Sequence, residues 1–170
     1  YEYIRAFNAS LFLSANKADV HRATAEGYPA GLVLESTIDE DDSDKELRIA
    51  FDFDCVLAGD ESEKVFRESG LDAYQAAEWQ KAAVPLSDGP LKKLIGKLAH
   101  IQQLENVRVG SDRELKVAIR VAIVTARNAP AHERMINTLS SWGLPAVELF
   151  LLGGVDKKNI LDVLRPHIFF

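Results

Sequence analysis

Asp52 and Asp54 stand two positions apart, directly after the apolar run LRIAF at 47–51. A carboxylate such as Asp52 can attack phosphorus and carry it as an aspartyl-phosphate, which divides one hard hydrolysis into two easier steps. Asp54 can protonate the leaving alkoxide and then take a proton from water. Two acids this close repel each other and repel a phosphate, so the pair calls for a divalent cation. Mg2+ suits oxygen ligands and bridges carboxylate to phosphate. On this reading Asp52 and Asp54 are both catalytic residues and metal ligands.

Asp-x-Asp alone is a weak signal, because acids often cap a strand-to-helix turn. Two more groups sharpen it. Thr125-Ala126-Arg127 follows the apolar run 117–124, and the Thr125 hydroxyl with the backbone N–H groups after it, at Ala126, can hold a phosphoryl oxygen. Gly153-Gly154 and then Lys157 follow the apolar run 147–152. The Lys157 ammonium, near a helix start, can neutralise charge that develops in transfer. In a parallel α/β sheet, ligands gather at the carboxyl ends of strands, which is where all three groups fall.

Other residues carry two readings each. Asp60 and Ser62 either favour a helix N-terminus or contact ribose or base. Arg127 meets the phosphate or base, or pairs with an acid. Lys92, in the first turn of a helix after Ser87-Asp88-Gly89, either approaches phosphate or faces solvent. Tyr74 or Trp79 stacks on a nucleobase or simply packs, and Trp142 packs. Cys55 reads as a small buried filler, without a partner that would make it a nucleophile. His21, His100 and His132 read as surface or boundary helix residues and His167 as structural, and the four lack metal-ligand spacing.

The elements that must position these groups alternate in kind. Strands are expected at 9–14, 30–34, 47–52, 117–124, 147–152 and from 167. Helices are expected at 17–26, capped by Asn16 or Ser14, and at 61–69, 72–83, 90–104, 131–142 and 156–164. Gly70 separates the second and third helices, and the acid run 39–44 reads as a solvated turn. Alternating strands and helices imply a parallel α/β sheet with helical crossovers. Residues 58–113 are too long for one crossover and are expected to form a small helical cap. Residues 1–46 form an N-terminal βαβ extension of the single domain. If the first strand joins the main sheet, Ser14 and Asn16 also face the site.

The chain has 170 residues, 47% of them hydrophobic, which suits one domain with its own core. A net charge of −6 argues against nucleic acid or an anionic membrane as partner, since both need a basic face. One cysteine allows no internal disulfide, no signal peptide is evident, and no apolar run approaches the roughly 20 residues of a membrane helix. A cytoplasmic location is the expectation, with self-association through the first fifty residues left open.

These motifs resemble the haloacid dehalogenase (HAD) superfamily, and within it the cytosolic 5′-nucleotidase I family. The supporting segments are LFLSAN (11–16), AFDFDCVL (50–57), GDESE (59–63), PLSDGPLK (85–92), VTAR (124–127), SWGL (141–144), LFLLGGVDK (149–157) and RPHIFF (165–170). The resemblance implies a Rossmann-like HAD fold, Mg2+, and hydrolysis of nucleoside 5′-monophosphates; composition and spacing alone reach only a phosphatase. The alternatives are a HAD phosphatase for another small phosphomonoester, or a receiver-like phosphoacceptor domain. Cys55 stands where this family more often has Ala, and Ala58-Gly59 replace a bulkier pair. The superfamily's fourth motif is an acidic pair after the last strand. Because Phe170 ends the sequence, the expectation is a truncated chain whose metal site lacks one carboxylate.

Overall fold

The computed structural model describes residues 2–35, 43–111, 117–144 and 147–170. Most of the acid run 39–44 therefore lies outside the described residues. The chain divides into two compact units, Tyr1–Lys45 and Glu46–Phe170.

In the first unit, a short helix α1 (Glu2–Ala6) precedes strand β1 (Phe12–Ser14), helix α2 (Lys17–Ala25) and strand β2 (Ala30–Leu32). Strands β1 and β2 pair in parallel as a two-stranded sheet of their own. This removes the condition under which Ser14 and Asn16 would face the main site. Both are used locally instead. The Asn16 side chain caps α2 by accepting from the Ala18 N–H at 2.9 Å, and the Ser14 hydroxyl accepts from the Asn16 N–H at 3.1 Å.

The second unit contains strands β3 (Leu47–Phe51), β4 (Ile119–Thr125), β5 (Glu148–Leu151) and β6 (Ile168–Phe169). Its helices are α3 (Glu61–Gln80), α4 (Lys92–Ser111), α5 (His132–Ser141) and α6 (Lys157–Leu164). The strands form one parallel sheet in the order β5-β4-β3-β6. A parallel sheet flanked by helices is the expected architecture and is consistent with a Rossmann-like fold. The sequence IRVAIVT of β4 is apolar almost throughout because a central parallel strand is covered on both faces. Ala50, Ala122 and Val124 pack on one face with Leu164, Ile160 and Leu161 of α6. Side chains alternate along a strand, so Ile49, Phe51, Val121 and Ile123, also buried, occupy the other face. Burial of each such large apolar side chain contributes about 1.5–3 kcal/mol.

Helix α3 is continuous only in name. Gly70 has φ 79° and ψ −175° inside it, a region open essentially to glycine alone. Ser62 and Glu78 share a 2.8 Å hydrogen bond and Phe66 meets Tyr74 edge-on at 6.1 Å. In a straight helix at 1.5 Å per residue, Ser62 and Glu78 would lie about 24 Å apart. The two arms therefore fold back on each other at Gly70, as the sequence suggests. Helix α4 continues to Ser111, beyond the expected end at residue 104. Its extension is tied to the sheet, because the Glu105 carboxylate accepts from the N–H groups of Ala118 and Ile119.

Candidate active site

Three neighbouring strands deliver their carboxyl ends to one edge. Asp52 follows β3, Thr125 closes β4, and Lys157 opens α6 after β5. The Asp52 N–H donates to the Phe170 carbonyl at 2.7 Å, so the departing chain is held along β6. One Asp52 oxygen accepts from the Phe53 N–H at 2.7 Å and the other accepts from the Lys157 ammonium. Lys157 is aimed there by the turn before it, where Gly153 and Gly154 take φ values of 57° and 92°. The Asp156 side chain then caps α6 on the Lys158 N–H.

Asp54 is held by a second cation. Arg127 grips both its carboxylate oxygens, from Nε at 2.8 Å and from Nη2 at 2.6 Å. The remaining nitrogen, Nη1, donates to Glu78 at 2.5 Å and to the Ala131 carbonyl at 3.0 Å. The other Glu78 oxygen accepts from the Ser62 hydroxyl and from Arg134 Nη1, each at 2.8 Å. Arg134 Nε is satisfied by the Val84 carbonyl. The side chains of Arg127 and Glu78 are each only 1% exposed. Two guanidinium groups and two carboxylates thus balance in charge where either sign alone would be costly to bury.

The electrostatics follow. Burial by itself would raise the Glu78 carboxyl, but the Arg127 charge and hydrogen bonds from Arg127, Ser62 and Arg134 override it and hold the group below the usual range. Burial opposes the Arg127 charge, and the bond to Asp54 more than offsets this, so the guanidinium stays ionised. Arg127 also lies over the rings of Phe53 at 5.2 Å and Tyr74 at 5.8 Å. Burial is the main reason the Tyr74 phenol is pushed up to about 12.

A family model described as 5′-nucleotidase matches residues 1–170. The chain is also 36% identical over 169 residues, 99% of its length, to cytosolic 5′-nucleotidase 1B of Homo sapiens. The chain belongs to the 5′-nucleotidase family. It spans 27% of the length of that relative. No solved structure matches it at a significant level.

Around this edge, the other expected contacts are engaged elsewhere. The Ser62 hydroxyl is buried and spent on Glu78. Asp60 pairs with Lys64 at 3.0 Å on the exposed side of α3. Lys92 pairs with Asp88 at 2.8 Å and lies over Trp142 at 5.2 Å. Thr125 is buried, and its hydroxyl accepts from the Arg127 N–H at 3.3 Å, while Ala126 is exposed beside it. Trp79 is exposed and Tyr74 half-buried.

Cys55 corrects an expectation. It is exposed, not a buried filler. The chain turns tightly here, with the N–H groups of Leu57 and Ala58 both on the Phe53 carbonyl. Cys55 takes φ 62°, and the buried places go to Phe53, Leu57 and Ala58. Partial desolvation and the carboxylates of Asp54, Glu63 and Asp60 push the thiol up, which disfavours its thiolate.

The segments GDESE and PLSDGPLK turn out to be partners. Ala58 bridges to Asp88, Gly89 N–H donates to the Leu57 carbonyl and Leu91 N–H to the Val56 carbonyl. Glu61 accepts from both the N–H and the hydroxyl of Ser87. A Cβ at Gly89 would come within 2.5 Å of the Ala58 carbonyl oxygen, and one at Gly59 within 2.1 Å of the Ser87 hydroxyl. Gly59 and Gly89 are therefore what let residues 87–91 approach the turn at 53–59 so closely.

Glu78 and Arg134 complete the buried cluster around Arg127, and sequence reasoning missed both. Arg134 falls on the stripe of Ala131, Met135 and Thr138, all buried, and Glu78 lies one turn after Tyr74 on the inward side of α3. A charge at a helix position that periodicity turns inward is the signal that finds both.

Proposed function

We propose that this edge hydrolyses nucleoside 5′-monophosphates to nucleoside and phosphate. The observation that carries the reading is the pairing of each acid with its own cation, Asp52 with Lys157 and Asp54 with Arg127, at the ends of adjacent strands. A phosphate entering over Asp52 meets the Thr125 hydroxyl, the backbone at Ala126 and the Lys157 ammonium, which passes from Asp52 to the phosphoryl oxygens. An Asp52 oxygen forms the bond to phosphorus as the bond to O5′ breaks, and the leaving alkoxide takes a proton from Asp54. Each Asp54 oxygen keeps a further lone pair outside the Arg127 fork for that proton. Water then attacks the aspartyl-phosphate, gives its proton to Asp54, and frees phosphate and the Asp52 carboxylate.

Among the described residues, no three acidic, His or Cys side chains gather as metal ligands. The two-carboxylate donor set of Asp52 and Asp54 nevertheless fits Mg2+, which is commonly held by one or two carboxylates with waters and phosphate oxygens completing its shell. When bound there, Mg2+ neutralises the negative charge that Asp52, Asp54 and the phosphate bring together. The helical segments between β3 and β4, within residues 58–113, serve as the cap. Among the described residues no helix is long and apolar enough to cross a membrane. With a relative described as cytosolic, this supports a cytoplasmic enzyme.

The test is phosphate release with Mg2+ from a panel of nucleoside monophosphates and sugar phosphates, for the protein and its Asp52→Asn variant. Continuous release from nucleotides, lost in the variant, is expected. Preference for sugar phosphates would move the substrate class. A phosphoryl group held on the protein without turnover would favour a receiver-like domain.

A further inference from the structure

The fork of Arg127 is divided between two carboxylates that lie on different elements. Nε and Nη2 face Asp54 on the turn after β3, whereas Nη1 faces Glu78 on the second arm of α3. A guanidinium is planar and its donors keep fixed relative directions, so fixing Nη1 also fixes where Nε and Nη2 point. Both Nη1 protons are committed, one to Glu78 and one to the Ala131 carbonyl. Glu78 is clamped in its turn by Ser62 and Arg134, and Arg134 is pinned to the Val84 carbonyl. A simple ion pair at Asp54 needs none of this second layer. The layer fits a fork that has to stay in one orientation.

We propose that Glu78 is a positioning residue for Asp54, acting through Arg127. The helical insertion then supplies part of the aim of the catalytic acid as well as a cover. This rests on the assignment of Asp54 as acid in the proposed function. Without the Glu78 carboxylate, Arg127 and Arg134 lose the anion between them, and the fork that orients Asp54 is free to turn. Proton delivery to the leaving group suffers first. A nucleoside alkoxide needs that proton to depart, whereas p-nitrophenolate leaves without one.

The experiment compares Glu78→Gln with the unaltered protein on a nucleoside 5′-monophosphate and on p-nitrophenyl phosphate, with Mg2+ present. General acid catalysis is worth about 10²–10⁴-fold, so a misdirected acid should slow first-turnover release of the nucleoside by about 10- to 100-fold and of p-nitrophenolate by less than about threefold. Single-turnover rates are read because the later hydrolysis of the aspartyl-phosphate, in which Asp54 takes a proton from water, is common to both substrates. Equal first-turnover losses on the two substrates would mean a general structural defect and overturn the proposal. Should Glu78→Gln fail to fold, the charge-balanced pair Glu78→Gln with Arg134→Met takes the same test. If the unaltered protein releases phosphate from neither substrate, the proposed function fails, and the positioning link is then read from thermal stability. Glu78 and Asp54 hold opposite ends of one guanidinium, so the melting-temperature losses of Glu78→Gln and Asp54→Asn should be non-additive in the double variant. Simple additivity would overturn the link.

Discussion

Ser62 and Glu78 belong to one helical segment and are sixteen positions apart, yet their side chains share a hydrogen bond of 2.8 Å. The bond exists because the segment doubles back at Gly70. It carries the carboxylate of Glu78 to Arg127, and through Arg127 to Asp54. The geometry of the acid thus depends on a reversal in a helix well away from it in sequence.

Gly70→Ala should therefore destabilise the fold. No atom lies within 4 Å of a Cβ built there, so the whole effect is backbone strain, about 1–3 kcal/mol. For a domain of this size that corresponds to a melting temperature lower by roughly 2–10 °C, measurable by calorimetry. An unchanged melting temperature would contradict the reversal.

Gly89→Ala should be worse, because its methyl group meets backbone instead of open space. The Ala58 carbonyl oxygen at 2.5 Å and the Leu57 carbonyl at 2.7 Å cannot step aside without opening the docking of residues 85–91 on the catalytic turn. Hydrogen exchange at the amides of Gly59, Gly89 and Leu91 should accelerate in the variant. Protection equal to that of the unaltered protein would count against the docking.

Lys157→Met tests the cation beside Asp52, the nucleophile of the proposed reaction. Both Lys157 and Asp52 are partly exposed, so the fold should survive. Loss of a preorganised charge at the transferring phosphoryl group should lower kcat by about 10²–10³-fold. Steady-state kinetics on a nucleoside monophosphate decides, and full activity would remove Lys157 from the mechanism.

Stability against pH follows from Glu78. Its folded carboxyl lies below the ordinary value of 4.5, so the folded state holds the proton more weakly than the unfolded chain does. The stabilisation it gives is complete above about pH 4.5 and is lost as pH falls through the depressed folded value. Melts between pH 7 and pH 3 should show a steep acid loss that Glu78→Gln flattens. Identical acid profiles for the two proteins would argue against the buried pair.

Much of the candidate edge was legible in sequence because it is written locally. Apolar runs end at Asp52, Thr125 and Leu152, and a strand end in a parallel sheet is where ligands collect. Gly70 could be read as a break since no other residue suits its backbone. What the sequence hid was set by distant partners. Arg127 and Glu78 are 49 positions apart, and Arg134 and Glu78 are 56 apart. Charged residues on helices default to solvent, so nothing local marks Glu78 as buried. The partners of Ser62, Asp60 and Lys92 were hidden for the same kind of reason, each being claimed by a neighbour that no motif announces. Cys55 went astray because hydrophobicity says bury it and the turn says otherwise.

The position of β3 between β4 and β6 also sets an order of assembly. Arg48 and His167 exchange hydrogen bonds across 119 positions, and Phe170 holds the amide of Asp52. During synthesis Asp52 emerges well before the strand that fastens its turn. Closing so long a loop is slow and entropically costly. The site therefore waits on synthesis, and a chain released before residues 168–170 would carry Asp52, Asp54, Arg127 and Lys157 but lack the Phe170 carbonyl that accepts from the Asp52 N–H.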